Sequence, residues 1–171
     1  MTPNANVSVP MTSPRQALVP ALVRTGLAVG VSDAIFASSL ALLVPPTATL
    51  ARLWQGVASV PFGKGMIGGG LPAVAAGLAV HFCVAFFWSA LFVLALRASP
   101  ALRDALTSWP RAILVASIYG MSIWLIMSLV VIPSIVHRPP AIGPKYWILL
   151  IGHIPFVAMP MVLINRRRTS S

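Results

Sequence analysis

Three ionisable residues lie in stretches that are otherwise apolar: Asp33 in AVGVSDAIFAS, His81 in GLAVHFCVAFF and His153 in ILLIGHIPFV. One carboxylate and two imidazoles can hold one another by hydrogen bonds, store or pass a proton, or take up a cation. Two imidazoles on facing helices can also ligate a haem iron from both sides, which makes His81 and His153 the candidate haem ligands. Zinc is poorly served, because little beyond serine and tyrosine hydroxyls is at hand to support a tetrahedral site. A hydrolase assembled from Ser32 or Ser38 with His81 and Asp33 lacks a nucleophile elbow, and a serine in an apolar helix commonly bonds its own backbone. The residues therefore predict no enzyme, no bound metal and no cofactor.

The surroundings of the three residues set what it costs to keep them there. Of 171 residues, 58% are hydrophobic and 8% charged, against roughly a quarter charged in a soluble domain. Asp33 and Asp104 are the only acids, and the net charge is +10. A soluble nucleic-acid binder could carry that charge, but not with its basic residues strung between apolar segments of bilayer length, so nucleic acid is not an expected partner. Four segments reach the roughly 20 apolar residues that a crossing needs: 17–44, 71–96, 112–136 and 146–164. They are apolar on all sides, which suits helices and not barrel strands, and hydrocarbon leaves no water for unpaired backbone groups. The expected fold is all-α: a polytopic membrane protein whose single four-helix transmembrane domain covers 17–165, after a disordered tail at 1–16 and before a basic tail at 166–171.

Basic residues orient the bundle. With the N-terminus inside, Arg15, Arg97, Arg103, Arg111, Arg166, Arg167 and Arg168 are cytoplasmic, while Arg52, Lys64, Arg138 and Lys145 fall in outer loops. This distribution predicts that both termini are cytoplasmic. Arg24, inside the first span, is read as snorkelling to the inner headgroups. The longest connection, between the first two spans, contains LARLWQGVASVPF, in which Leu50, Leu53, Trp54, Val57 and Val60 recur at helical spacing. That spacing predicts a short amphipathic helix on the outer interface. The next stretch, GKGMIGGG, fails as a phosphate loop because Gly65 follows Lys64 where Ser or Thr is required; it reads as a turn, with a re-entrant segment as the alternative. A lone Cys83 in the second span reads as a small buried hydrophobe.

Depth and facing bring the three ionisable residues together. At a rise of about 1.5 Å per residue, Asp33, His81 and His153 all fall roughly 3–4 Å to the outer side of the midplane. Gly26, Gly30 and Ala37 share a helix side with Asp33, forming a small-residue stripe that lets another helix approach closely, in this chain or in a second copy. A carboxylate turned to lipid would cost about 2.5–3.5 kcal/mol, so Asp33 is expected to face the bundle. There is also an internal echo: GVSDAIFASSLALLVP and GMSIWLIMSLVVIP share Gly-x-Ser and a second serine, Ser32 with Ser38 and Ser122 with Ser128, and each precedes a span with a central histidine. A parallel duplication makes His81 and His153 equivalent and leaves Ile123 opposite Asp33.

The run HFCVAFFWSALFVLALRASPALRD, then YGMSIWLIMSLVVIPSI, then GHIPFVAMPMVLINRRR resembles the latter part of the YagU-like family of small bacterial inner-membrane proteins. The matching positions are His81, Pro100, Pro133, Gly152-His153 and Arg166 to Arg168, over roughly 77–168; the first half departs, with a shorter outer loop that lacks acids. The resemblance implies a multi-pass helical protein of the bacterial inner membrane and no particular activity. Taken with the residues, it leads to a membrane subunit with a structural or partner role, in which Asp33, His81 and His153 form a buried polar cluster. The alternatives are a proton- or cation-responsive small transporter or sensor using that cluster, and a bis-histidine haem b protein. Expected partners are the lipid bilayer and a second copy or another membrane protein; any ion or small-molecule substrate stays open.

Overall fold

The computed structural model describes residues 18–44 and 49–169. The expected tail at 1–16 with Arg15, residues 45–48 after the first span and the last two residues lie outside the described residues, as do the side chains of Arg167 and Arg168. The described chain is helical without strands. Four of its helices are long and apolar enough to cross a membrane: α1 Leu18–Leu43, α3 Gly70–Ala98, α5 Trp109–Val136 and α6 Pro144–Arg166. Two shorter helices join them, α2 Leu50–Phe62 and α4 Pro100–Ala105.

Local chemistry sets the helix ends. Thr49 begins α2 by accepting from the Arg52 N–H, and Ser99 begins α4 by accepting from the Leu102 N–H with Pro100 in the first turn, the usual way of satisfying orphan donors. Arg103 closes the other side of that connection, donating to the Leu96 and Arg97 carbonyls at the end of α3. Arg111 pairs with Asp104 at 2.7 Å, and Arg166 donates to the Thr107 carbonyl while lying over the Trp109 ring. The arginines expected to set topology thus also knit one end of the bundle.

Helix α1 packs on α3 and on the C-terminal half of α6, and α5 packs along α6. The Gly26–Gly30 stripe is used inside the chain: the Phe86 and Phe82 rings of α3 occupy the space where side chains would stand. The stripe is therefore not open to a second copy, a correction of one expected use. The same device recurs at α5, where Gly120 lies against the His153 backbone. Phe36 fills the space over Gly152 and stacks on Phe156 at 4.5 Å, tying α1 to α6. At the arginine-rich end, buried Asn165 donates to Thr25 Oγ1 and to the Met161 carbonyl. Cys83, read as buried, is exposed.

A helix forms where amphipathic spacing predicted one, but α2 packs its apolar face on the bundle. It lies against α3, α1 and the exit of α5. Its closest approach is at Gly77 of α3, which meets the Trp54 backbone, and Gln55 fastens the turn by accepting from Gly68 N–H and donating to the Gly70 carbonyl. Two further irregularities shape the interior. Helices α5 and α6 each widen into a π-turn, at Met127–Val131 and Ile154–Ala158, where the N–H groups of Ile132 and Met159 reach five residues back. Pro133 and Pro155 lack the N–H that a regular turn would use, and π-turns absorb such a break.

A methyl at Gly77 has no room beside the Trp54 backbone, whereas one at Gly56 meets nothing. Gly77→Ala should lower the thermal midpoint in detergent by the equivalent of about 1–3 kcal/mol, the usual cost of overpacking. Gly56→Ala should hold or raise the midpoint, since alanine favours a helix interior by up to about 1 kcal/mol. Equal midpoints for the two variants would show that α2 does not seat on α3 at this point.

Candidate functional site

Asp33, His81 and His153 all line one cavity of about 420 Å³. Helix α1 contributes Asp33 with Val29 and Ala37, α3 contributes His81, and α6 contributes His153 just before its π-turn. Helix α2 covers the group with Leu53, Trp54, Val57 and Val60, the face whose spacing was apparent in sequence. Helix α5 supplies Ile123, Trp124 and, from its π-turn, Met127 and Val131. The walls are otherwise apolar, and no lysine or arginine lines the cavity among the described residues.

Hydrogen bonds assign a tautomer to each ring. His81 Nε2 lies 2.9 Å from the Gly30 carbonyl and must donate to it. That leaves Nδ1 as the bare nitrogen of a neutral ring, and it faces Asp33 Oδ2 at 3.9 Å. The separation is too long for a direct hydrogen bond, so the Asp–His bond expected of simple structural glue is not formed. A neutral His81 and an ionised Asp33 would present two lone-pair acceptors to each other. The two groups therefore stand side by side without a hydrogen bond between them, both open to the cavity.

His153 has the opposite arrangement. Its Nδ1 donates to the Leu149 carbonyl one turn back at 2.7 Å, leaving Nε2 without a hydrogen-bond partner among the described residues. The residue is 8% exposed and lies within Coulombic reach of both Asp33 and His81. Each histidine also touches an indole: Trp54 is 5.2 Å from His81 and Trp124 is 4.9 Å from His153, ring centre to ring centre. Tyr146 packs against Trp124 with the two rings tilted and is held by a 3.1 Å hydrogen bond with Ser128, and the Tyr119 hydroxyl donates to the Trp88 carbonyl. Those phenols are engaged elsewhere.

The internal echo has a spatial counterpart. Gly30 contacts α3 at His81 and Phe82, and Gly120, its partner in the repeat, contacts α6 at His153. Asp33 and Ile123, the paired but unlike positions, both line the cavity. Among the described residues no group of three or more His, Cys, Asp or Glu converges closely enough to hold a metal ion. For haem, the nitrogens left free are His81 Nδ1 and His153 Nε2, and the former is turned to Asp33.

Sequence reasoning found the three ionisable residues and missed Trp54, Trp124 and the glycines at 77, 120 and 152 as their supports. A tryptophan in an apolar run carries no mark of which histidine it will meet. Comparison with known proteins adds no relative: the chain matches no family model, no curated protein and no solved structure.

Nitrogen-15 spectra of histidine-labelled protein at alkaline pH should show two different neutral tautomers, Nε2–H for His81 and Nδ1–H for His153, assigned by loss of each signal in His81→Gln and His153→Gln. Identical tautomers would overturn the hydrogen-bond assignment.

Proposed function

We propose that this chain is a proton-responsive multi-pass protein of a bacterial inner membrane, a sensor or small transporter whose working site is the Asp33–His81–His153 cavity. The observation that carries the reading is that all three residues open on one space instead of closing on one another. A purely structural cluster would saturate its own hydrogen bonds, because an unpaired polar group in hydrocarbon is costly. Here the Asp33 and His81 side chains stand 3.9 Å apart and His153 Nε2 is unpartnered. Intramembrane ionisable residues left in this state mark ion or proton sites by default.

The membrane assignment rests on the four long apolar helices. The bacterial inner membrane is the implication of the YagU-like resemblance over 77–168, and cytoplasmic termini follow from the lysine and arginine distribution. With that orientation α2 covers the cavity from the outer side.

Protonation can reach α2 through the rings. A charge gained on His81 faces Trp54, which α2 carries, and a charge gained on His153 faces Trp124 on α5. Both indoles are cavity walls, so a change in their preferred packing alters how α2 closes on the bundle. The response is local to a covering element that is held at the Gly77 contact and the Gln55 turn.

Protonated imidazole quenches a neighbouring indole, so tryptophan emission of the detergent-purified protein reports the site directly. Acidification from about pH 8 to pH 5, the window in which histidine changes charge, should lower emission in a single transition. His81→Gln should remove the part lost in Trp54→Phe, His153→Gln the part lost in Trp124→Phe, and Asp33→Asn should displace the midpoint. Emission that is flat with pH, or unchanged in all three polar variants, would leave the cluster a packing device. An absorption spectrum on the same samples checks for a Soret band near 410–430 nm, the signature expected of the haem alternative.

A further inference from the structure

We infer that the cavity binds a compact hydrophobic amine in its protonated form; this rests on the reading of the cavity as the working site and names its ligand. Three independent properties of the space converge on that chemistry.

Charge is the first. Asp33 is the carboxylate of the cavity; the chain's other acid, Asp104, is exposed and paired with Arg111. With no lysine or arginine among the lining residues, the cavity favours one positive charge when Asp33 is ionised. An anionic ligand would meet that carboxylate with nothing to offset it.

Hydrogen-bond direction is the second. Both histidines spend their N–H on backbone carbonyls, His81 on Gly30 and His153 on Leu149. What remains for a ligand in the neutral rings is His81 Nδ1, His153 Nε2 and the Asp33 oxygens, all of them acceptors. The buried indole nitrogens of Trp88 and Trp124 have no partner and are closed off from the accessible space, so the one indole N–H that the wall can still offer is that of Trp54, against the acceptors of Asp33 and both histidines. A ligand that satisfies this set must bring several N–H donors on one small centre, as an alkylammonium does. A neutral apolar occupant such as a lipid acyl chain would leave every acceptor unpaired.

The walls are the third. Trp54 and Trp124 stand beside the two histidines on the cavity wall, so aromatic rings, which attract cations, flank the ionisable groups. Valine, leucine and isoleucine side chains from five helices make up most of the remaining surface. A hydrated metal ion has no use for such walls, while an ammonium on a hydrocarbon or aryl body uses both parts. The volume of about 420 Å³ lies within the range of ligand pockets, roughly 300–1,000 Å³.

Protons and amine then compete for the same acceptors. Protonating His81 or His153 turns an acceptor into a donor and adds a like charge, so acidification expels the amine. No other titratable side chain lines the cavity among the described residues, so the competition belongs to these three.

The test titrates full-length protein in a neutral detergent with 2-phenylethylamine, 3-phenylpropanol and 3-phenylpropionate, three probes of similar shape and different charge, followed by calorimetry. The amine should bind at least about tenfold tighter than the alcohol, a difference of about 1.4 kcal/mol, and the carboxylate should not bind. Asp33→Asn should abolish the preference while changing alcohol affinity by less than about twofold, and amine affinity should fall between about pH 8 and pH 5. Should Asp33→Asn fail to fold, the three-probe comparison on the wild-type chain decides alone. Equal affinity for amine and alcohol would overturn the inference and mark a space for acyl chains. Tighter binding of the carboxylate, or an amine preference that survives Asp33→Asn, would also overturn it. Any of these results beside an intact pH transition in tryptophan emission refutes the ligand class only; loss of that transition as well refutes the proton-responsive reading itself.

Discussion

The hydrogen bond from His81 Nε2 to the Gly30 carbonyl is the interaction on which the cavity's chemistry depends. By consuming the only N–H of a neutral ring, it turns the other nitrogen toward Asp33 as an acceptor. The bond is possible because Gly30 has no side chain. The α1 backbone can then lie against Phe82 and leave its carbonyl within reach of the adjacent imidazole. A larger residue would separate α1 from α3 and take the carbonyl away from His81. One glycine thus fixes a helix contact, a tautomer and which ring nitrogen is turned to Asp33 on the neighbouring helix.

The space itself exists because the helices are irregular where a straight bundle would have closed it. Close approaches at Gly26 and Gly30 hold α1 on α3, and Gly120 holds α5 on α6, so each hairpin is tight. The π-turns of α5 and α6 then direct Met127, Val131 and Val157 to the cavity wall. Proline is the local cause in both helices: Pro133 follows one π-turn closely, and Pro155 lies within the other. Helix α2 completes the enclosure with the face that is apolar every three or four residues. Its seat is the Gly77 contact, where backbone meets backbone without intervening side chains.

Much of the architecture is legible in the sequence, because crossing a bilayer leaves few choices. The four spans begin and end within a few residues of where apolar length and flanking proline or arginine place them. A rise per residue, applied to Asp33, His81 and His153, predicts one level for all three, and in the structure they line one cavity. Position along a helix is nearly all the information that argument needs. The location of α2 was not legible in the same way. An amphipathic helix has the same pattern whether its apolar face meets lipid or a cavity, and only the packing of Trp54 on Gly77 separates the two. The small-residue stripe was read for close approach correctly and for its partner incompletely, since Gly-x-x-x-Gly does not say whether the approaching helix is in the same chain. The π-turns leave no periodic signal, because proline in an apolar span permits a kink, a break or a widened turn.

The asymmetry between the two halves gives the site its sense. Gly30 and Gly120 bring each half's first helix against the histidine of the second, and the two histidines line the same space from opposite hairpins. A fully symmetric arrangement would place either two acids or two isoleucines at the paired positions. Two acids at this depth would repel and would each need a counter-charge, which the two histidines could supply only by both being protonated. Two isoleucines would leave the imidazoles with no charge to answer. Asp33 matched with Ile123 is the intermediate case: one carboxyl group and two imidazoles among apolar walls, a set that balances a single positive charge whenever the carboxyl is ionised. On the proposed reading that charge is a proton or a cation that displaces it, and the exchange between the two is what the site registers.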